Sequence, residues 1–125
     1  MGQTILIVDD AEFMRVILRD ICTDMKLNVV GEAADGAEAV QQYSKLNPDL
    51  VLMDITMPTM DGTEALQEIL TADPSAQVVM ITALGQKEQV LAAIKIGARD
   101  FIIKPFDQER VTETLSRIMF AQPAL

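Results

Sequence analysis

The stretch Ile5-Leu6-Ile7-Val8-Asp9-Asp10 runs from four apolar side chains directly into two carboxylates. Short apolar runs bounded by polar residues are typical of strands buried inside a parallel sheet. With the run at 28–33, the sequence predicts five such strands. Three of them also end on a polar side chain: 50–53 on Asp54, 78–81 on Thr82, and 101–103 on Lys104.

Helical segments separate these strands. Apolar residues recur at three- and four-residue spacing in five stretches: 14–25, 40–46, 65–70, 90–94 and 111–119. That spacing places them on one face of a helix. Turn and cap residues mark the boundaries: Asp35-Gly36, Asn47-Pro48, Asp73-Pro74, Gly97 and Asp107. Strands that alternate with helices favour an α/β fold, a doubly wound five-stranded parallel sheet with helices on both faces.

Length and composition limit the class of protein. The 125 residues suit one domain, and we expect residues 1–125 to form it, with the last helix running almost to Leu125 and no output domain. A net charge of −9 argues against binding to nucleic acid, and no apolar stretch approaches the ~20 residues of a membrane span. The single cysteine, Cys22, lies among apolar residues at helical spacing, which predicts an unreactive core thiol. We therefore expect a cytoplasmic protein.

The polar strand ends predict a site. In open parallel sheets, ligands bind outside the carboxyl ends of the strands, so three carboxylates, one hydroxyl and one ammonium would meet there. Asp9 and Asp10 repel each other unless a cation intervenes, and ligands that are all oxygen atoms suit Mg²⁺. The alternative for Asp10 is that it only caps the first helix.

Asp54 is the candidate nucleophile, because an Asp carboxylate can accept a phosphoryl group as an acyl phosphate. Thr82 and Lys104 are natural donors to phosphoryl oxygens, and the ammonium also offsets negative charge. Lys104 precedes Pro105, so the peptide bond between them can be cis. Taken singly, each has an ordinary alternative: a loop carboxylate, a structural threonine and a solvated lysine. The specificity lies in the set of four strand ends.

Together these motifs resemble those of the receiver domains of two-component response regulators, in particular the stand-alone receivers of chemotaxis. The resemblance covers nearly the whole chain and rests on these residues: Asp9-Asp10, Asp54, Met57-Pro58, Asp61-Gly62, Thr82-Ala83, Gly97-Ala98, Phe101 and Lys104-Pro105-Phe106. It implies a flavodoxin-like (βα)5 fold. The strand order 2-1-3-4-5 is likewise implied by the family and not by the strand pattern.

The resemblance also implies roles at the site. Asp54 would be phosphorylated by a histidine kinase, with Mg²⁺ as the cofactor. Asp10 and Asp54 would bind the metal directly and Asp9 would bind it through a water, while the Thr56 main-chain carbonyl would complete the protein ligands. Thr82 would contact the phosphoryl group together with Lys104.

The resemblance further implies a switch residue. Phe101 would turn inward when Thr82 moves; the alternative is an ordinary core aromatic. Thr56 and Leu84, two residues beyond Asp54 and Thr82, offer no carboxylate or carboxamide to orient an attacking water. We therefore expect the chain to catalyse only its own phosphorylation and a slow-to-moderate dephosphorylation, which a separate phosphatase would assist.

Three functions stay open. The first is a monomeric binding module that carries a signal from a chemotaxis kinase to a flagellar motor switch protein, through the fourth helix, the last strand and the last helix. Residues 87–117, which include that face, carry a charge of +1 from six basic and five acidic side chains, against −10 for the rest. The second is a phosphorelay intermediate that passes its phosphoryl group to a histidine phosphotransfer protein. The third is a receiver that acts on another enzyme or transcriptional partner.

An enzyme that hydrolyses outside substrates with a metal ion is disfavoured. The chain contains no histidine, and its short loops imply a shallow pocket.

Overall fold

The computed structural model describes residues 3–120, where five strands alternate with five helices. The strands are β1 (Thr4–Val8), β2 (Asn28–Ala33), β3 (Leu50–Asp54), β4 (Val78–Ala83) and β5 (Asp100–Lys104). The helices are α1 (Glu12–Asp24), α2 (Gly36–Leu46), α3 (Gly62–Ala72), α4 (Lys87–Ile96) and α5 (Gln108–Met119). All strand pairings are parallel, in the order β2-β1-β3-β4-β5. The predicted fold and strand order are confirmed; the predicted extension of the domain to residues 1 and 125 lies outside the described residues.

The sheet separates two apolar layers, one on each face. Leu6 and Val8 pack in the layer of α2, α3 and α4, whereas Ile5 and Ile7 pack in the layer of α1 and α5. Side chains alternate between the two faces along a strand, so both layers require apolar residues from the same strand. This explains why the runs that predicted the strands are continuous rather than alternating.

The polar residues predicted at the strand ends are held by the strand ladder or lie directly beside it. Asp54 and Lys104 are the last residues of β3 and β5, and Asp9 follows β1. Thr82 lies inside β4, which continues for one more residue because Thr82 and Ala83 still pair with β5. These side chains therefore start from backbone whose position the sheet fixes.

Helix ends agree with the predicted caps, with one exception at α1. Asp107 caps α5 by accepting from the Arg110 N–H at 2.8 Å, and Gly97 ends α4 with a φ of 133°. The N-cap of α1 is Ala11, and no side chain caps that helix. The alternative in which Asp10 serves as a helix cap is therefore wrong.

Cys22 is a residue of α1 that packs in the layer between this helix and the sheet, so its predicted place in the core is confirmed. Burial raises the pKa of its thiol to about 12, which disfavours the reactive thiolate. Among residues 3–120, no helix has both the length and the apolar character needed to cross a membrane.

Candidate functional site

Three carboxylates meet at the carboxyl edge of the sheet, where β1 and β3 lie side by side. One oxygen from each of Asp9, Asp10 and Asp54 lies within 4.8 Å of the other two. Asp9 is fully buried and Asp54 is 6% exposed, whereas Asp10 faces solvent. The three carboxylates of this acidic cluster, which the sequence places at one edge of the sheet, therefore lie together, two of them buried and one exposed to solvent.

Lys104 brings a positive charge to the acidic cluster from β5, two strands beyond β3. Its Nζ donates to Asp54 Oδ2 at 3.1 Å and to Asp9 Oδ2 at 3.3 Å. The peptide bond from Lys104 to Pro105 is cis, as the sequence allows. Three ionised carboxylates and one ammonium leave two negative charges uncompensated at this edge.

Burial and ion pairing act in opposite directions on the two charged partners. Desolvation raises the pKa of Asp54 above its usual value, although the hydrogen bond and the charge of Lys104 oppose this rise. Desolvation also works to lower the pKa of Lys104, but its contacts with Asp54 and Asp9 outweigh that effect and raise the pKa. Lys104 therefore stays cationic, and its charge favours the ionised, nucleophilic form of a buried carboxylate.

Close backbone contacts hold the acidic cluster in place. A Cβ at Gly62 would lie 2.2 Å from the Asp54 carbonyl oxygen, so α3 can begin this close to β3 only with a glycine. Arg15 of α1 donates to the Asp9 carbonyl at 2.7 Å and pairs with Glu32 at 3.1 Å. Arg15 was not predicted from the sequence, because both of its partners lie elsewhere in the chain and its local pattern is that of any helix.

The acidic cluster fits a divalent cation. Its ligands are all oxygen atoms, which Mg²⁺ prefers, and its two uncompensated negative charges match the charge of that ion. Asp9, Asp10 and Asp54 are therefore the side chains that could hold Mg²⁺. Thr56 lies just beyond them in the loop after β3, with its N–H 3.4 Å from Asp54 Oδ1.

Thr82 is only 2% exposed, and its hydroxyl is engaged by a residue that was not predicted. Gln86 Oε1 accepts from the Thr82 hydroxyl at 2.9 Å, and Gln86 Nε2 donates to the Thr56 hydroxyl. Positions 56 and 84 carry no carboxamide, but the carboxamide of Gln86 reaches both Thr56 and Thr82. Its sequence signal is Gly85, which allows the chain to turn back toward Thr82.

Phe101 does not lie in the core. Its side chain is 37% exposed, so the alternative of an ordinary core aromatic is wrong for this structure. It lines a groove of about 380 Å³ that also reaches Thr82 and Gln86. The proposed switch residue and the proposed sensor of phosphate therefore border the same groove.

Comparisons with known proteins cover nearly the whole described fold. The model of the response regulator receiver domain family matches residues 5–116, which include every residue of the acidic cluster, Lys104 and Gln86. The chain is similar to the chemotaxis protein CheY of Thermotoga maritima, with 52% identity over 118 residues, 94% of this chain and 98% of that protein. It is also similar to Protein CcdB of Bacillus subtilis, with 53% identity over 115 residues, 92% of this chain and 96% of that protein.

One solved structure is similar to the chain in both fold and sequence. This is the complex of CheX, CheY, BeF₃ and Mg²⁺ from Borrelia burgdorferi, with a TM-score of 0.88 and 41% identity. The match covers 93% of this chain and 88% of that chain.

Proposed function

Because the chain belongs to the response regulator receiver domain family, we propose that phosphorylation of Asp54 switches its binding to a downstream partner. It is a receiver of the CheY-like type. The observation that carries the proposal is the insertion of Lys104 between two carboxylates from different strands, beside a third carboxylate. This set suits a phosphoryl group held between a metal ion and an ammonium.

In the proposed reaction, a carboxylate oxygen of Asp54 attacks the phosphorus of a phosphohistidine on a histidine kinase. An acyl phosphate bond forms, the bond between phosphorus and the imidazole nitrogen breaks, and the imidazole takes up a proton from solvent. Lys104 and Thr82 donate to the oxygens of the transferred group. Both donors act on charge that the buried edge of the sheet would otherwise leave unsolvated.

The acidic cluster would hold the cofactor of this reaction. Asp9, Asp10 and Asp54, together with the Thr56 main-chain carbonyl, would bind Mg²⁺, which neutralises charge on phosphoryl oxygens when it is bound. The support for this assignment is the excess of two negative charges over Lys104.

The output would come from the face formed by α4, β5 and α5. Five large exposed apolar side chains line the groove beside Thr82: Leu84, Leu91, Ile94, Phe101 and Ile103. An exposed apolar patch of this kind is typical of a protein-binding surface. A flagellar motor switch protein is the proposed target, since several relatives with 50–53% identity are named chemotaxis protein CheY. Another enzyme or a transcriptional partner is the alternative.

A histidine kinase and a phosphatase would be the further partners, and both would bind at the phosphorylation site. Residues 1–125 would act as a single receiver domain in a cytoplasmic monomer. The Borrelia burgdorferi structure contains CheY together with CheX, BeF₃ and Mg²⁺, which supports a further protein partner for the loaded form.

A phosphorelay function is favoured by one specific observation. Phe13, in the first turn of α1 and close in sequence to Asp10, is 74% exposed. A large apolar side chain beside the mouth of the acidic cluster suits contact with a phosphotransfer protein that carries the donor or acceptor histidine.

Acetyl phosphate with Mg²⁺ tests the phosphoacceptor, and intact-protein mass spectrometry is the readout. Wild type should gain one phosphoryl group and Asp54→Asn none, whereas Asp20→Asn, on the exposed side of α1, should behave as wild type. A phosphorylated Asp54→Asn chain would refute the proposal.

Pull-down by a motor-switch peptide, with and without beryllofluoride, then tests the target. Equal binding in the presence and absence of beryllofluoride would exclude the motor switch protein as a phosphorylation-dependent target.

A further inference from the structure

The side chain of Gln86 bridges the two loops that border the proposed phosphorylation site. Its Oε1 accepts from the Thr82 hydroxyl at 2.9 Å and from the Ala83 N–H at 2.8 Å. Its Nε2 donates to the Thr56 hydroxyl. The Ala83 N–H can only donate, so it must face the amide oxygen, and this fixes the orientation of the carboxamide. One side chain thus ties the loop after β3 to the loop after β4.

The local backbone directs Gln86 toward the site instead of along its helix. Gln86 is the N-cap residue of α4, yet its side chain makes no capping hydrogen bond. Gly85, with a φ of 91°, turns the chain back toward β4. A side chain at this position ordinarily satisfies an amide of the first helical turn. Here its polar head contacts the phosphate-sensing threonine instead.

Gln86 competes for a hydrogen that the proposed reaction needs. The Thr82 hydroxyl has one hydrogen to donate, and Gln86 Oε1 is its nearer acceptor; the Ala83 carbonyl lies at 3.3 Å. Thr82 is almost completely buried, which limits exchange of this bond with water. A phosphoryl group on Asp54 would require the same hydrogen, so the hydroxyl cannot serve both acceptors.

We propose that Gln86 is a positioning residue that holds Thr82 in its resting orientation and so lowers the affinity of the site for a phosphoryl group. The inference rests on the proposed function, since it needs Asp54 as the phosphoacceptor and Thr82 as a donor to phosphate. Release of Thr82 also frees the start of α4, where the apolar groove begins. The strength of the hydrogen bond between Gln86 and Thr82 would therefore set how readily phosphorylation of Asp54 affects the output face.

The test measures the affinity of the full chain for beryllofluoride, an acyl-phosphate mimic, in the presence of Mg²⁺. Gln86→Ala should bind about two- to tenfold more tightly than wild type, the effect of one neutral hydrogen bond. In a Thr82→Ala background, the same change should leave the affinity unaltered, because no hydroxyl remains to be held. Gln86→Met keeps the length of the side chain without the acceptor and replaces the alanine variant if that variant unfolds.

Gln67→Ala is the matched control. Gln67 is an exposed glutamine of α3 whose side chain donates to Thr71 on the same helix, and its removal should leave the affinity at the wild-type value. An unchanged affinity in Gln86→Ala, or equal tightening with and without Thr82, would overturn the role of Gln86 and leave the phosphorylation site standing. A wild-type chain that binds no beryllofluoride, or an Asp54→Asn chain that binds it equally well, would overturn the proposed function and this inference with it.

Discussion

The inner strands, β1 and β3, are packed very differently from the outer pair, β5 and α4. Residues 5–8 and 50–54 of the inner strands are all buried, whereas β5 buries only Ile102 and α4 only Ala93. β5 has a neighbour on one side, and the inner strands have neighbours on both. The carboxylates thus stand on the part of the sheet that is hardest to move. The exposed apolar side chains stand on the part with the fewest buried groups to disturb.

This difference in packing suits the proposed switch, because the binding site and the output face lie in different parts of the sheet. Metal and phosphoryl binding need oxygen atoms at fixed positions, which the inner strands supply. An output needs an element that can shift without unpacking the core, and the outer pair meets that need.

Truncation of an apolar side chain should have very different effects in the two regions. Leu52→Ala in β3 should lower the free energy of unfolding by about 2–5 kcal/mol, because it leaves a cavity among buried neighbours. Ile103→Ala in β5, at a half-exposed position, should lower it by less than about 1 kcal/mol. Urea unfolding measures both. Similar losses at the two sites would contradict the proposed division.

Mg²⁺ should stabilise the inner strands through the acidic cluster. At a concentration about a hundredfold above its Kd, the ion should add about 2.7 kcal/mol to the free energy of unfolding. Asp10→Asn should raise the melting temperature without metal, because it relieves repulsion, and should abolish the response to Mg²⁺. Asp20→Asn, which changes the net charge equally, should keep that response. An intact response in Asp10→Asn would refute the metal site.

Substitution of one glycine beside each region tests how much backbone change that region tolerates. Gly62 lies beside the inner strand β3, and Gly85 precedes the outer helix α4. Gly62→Ala should cost about 1–3 kcal/mol, since its Cβ would strike the Asp54 carbonyl, and should slow phosphorylation of Asp54. Gly85→Ala meets no atom within 4 Å and suffers only from its positive φ, so about 1 kcal/mol is expected. Thermal unfolding gives the stabilities, and acetyl phosphate labelling gives the rates. An unimpaired rate in Gly62→Ala would show that Asp54 tolerates a shifted backbone.

Asp54 should make stability depend on pH in metal-free protein. Because folding raises its pKa, the native state binds a proton more readily than the unfolded chain does. Wild type should therefore gain stability from this group as the pH falls from neutral through the native pKa toward the unfolded value of 3.8. Asp54→Asn binds no proton and should lack that gain. Urea unfolding at neutral and mildly acidic pH measures it, and parallel profiles for the two proteins would argue against the shift.

The smallest effect concerns a minor population. Two charge-assisted hydrogen bonds, from Thr82 and Lys104, supply ~3–6 kcal/mol, and moving an equilibrium from 1:99 to 99:1 takes ~5.5 kcal/mol. We therefore predict that the resting protein already populates its active form detectably. Relaxation dispersion without phosphate should find exchange at Thr82 and Phe101 but not at Leu52. A lack of exchange at Thr82 and Phe101 would mean that phosphate alone cannot drive the switch.

The strands and the acidic cluster could be predicted because their signals are local. Each polar residue of the site follows an apolar run, and parallel strands bring the ends of such runs together. The proximity of Asp9, Asp54 and Lys104 could therefore be predicted from the sequence pattern alone.

Arg15 and Gln86 could not be predicted this way. Glu32, which pairs with Arg15, and Thr56, which accepts from Gln86, become their neighbours only after the sheet and the loops have formed. Gly85 marks a turn before Gln86, but it does not show where the Gln86 side chain goes.

Two alternatives that the sequence left open fail for physical reasons. Asp10 follows β1 closely enough to look like a helix cap, but the N-cap position is one residue later, at Ala11, and α1 starts at Glu12. Phe101 lies in an apolar run, which suggested a buried alternative, yet its strand is at the edge of the sheet and leaves that side chain exposed.

The ion pair between Lys104 and Asp9 joins residues 95 positions apart in the chain. A chain that grows from its N-terminus therefore contains all three carboxylates before it contains the ammonium that completes the site. Because Lys104 is the last residue of β5, acceptance of a phosphoryl group should require β5 to be paired with the sheet. Labelling of Asp54 should consequently report whether the C-terminal strand has joined the sheet.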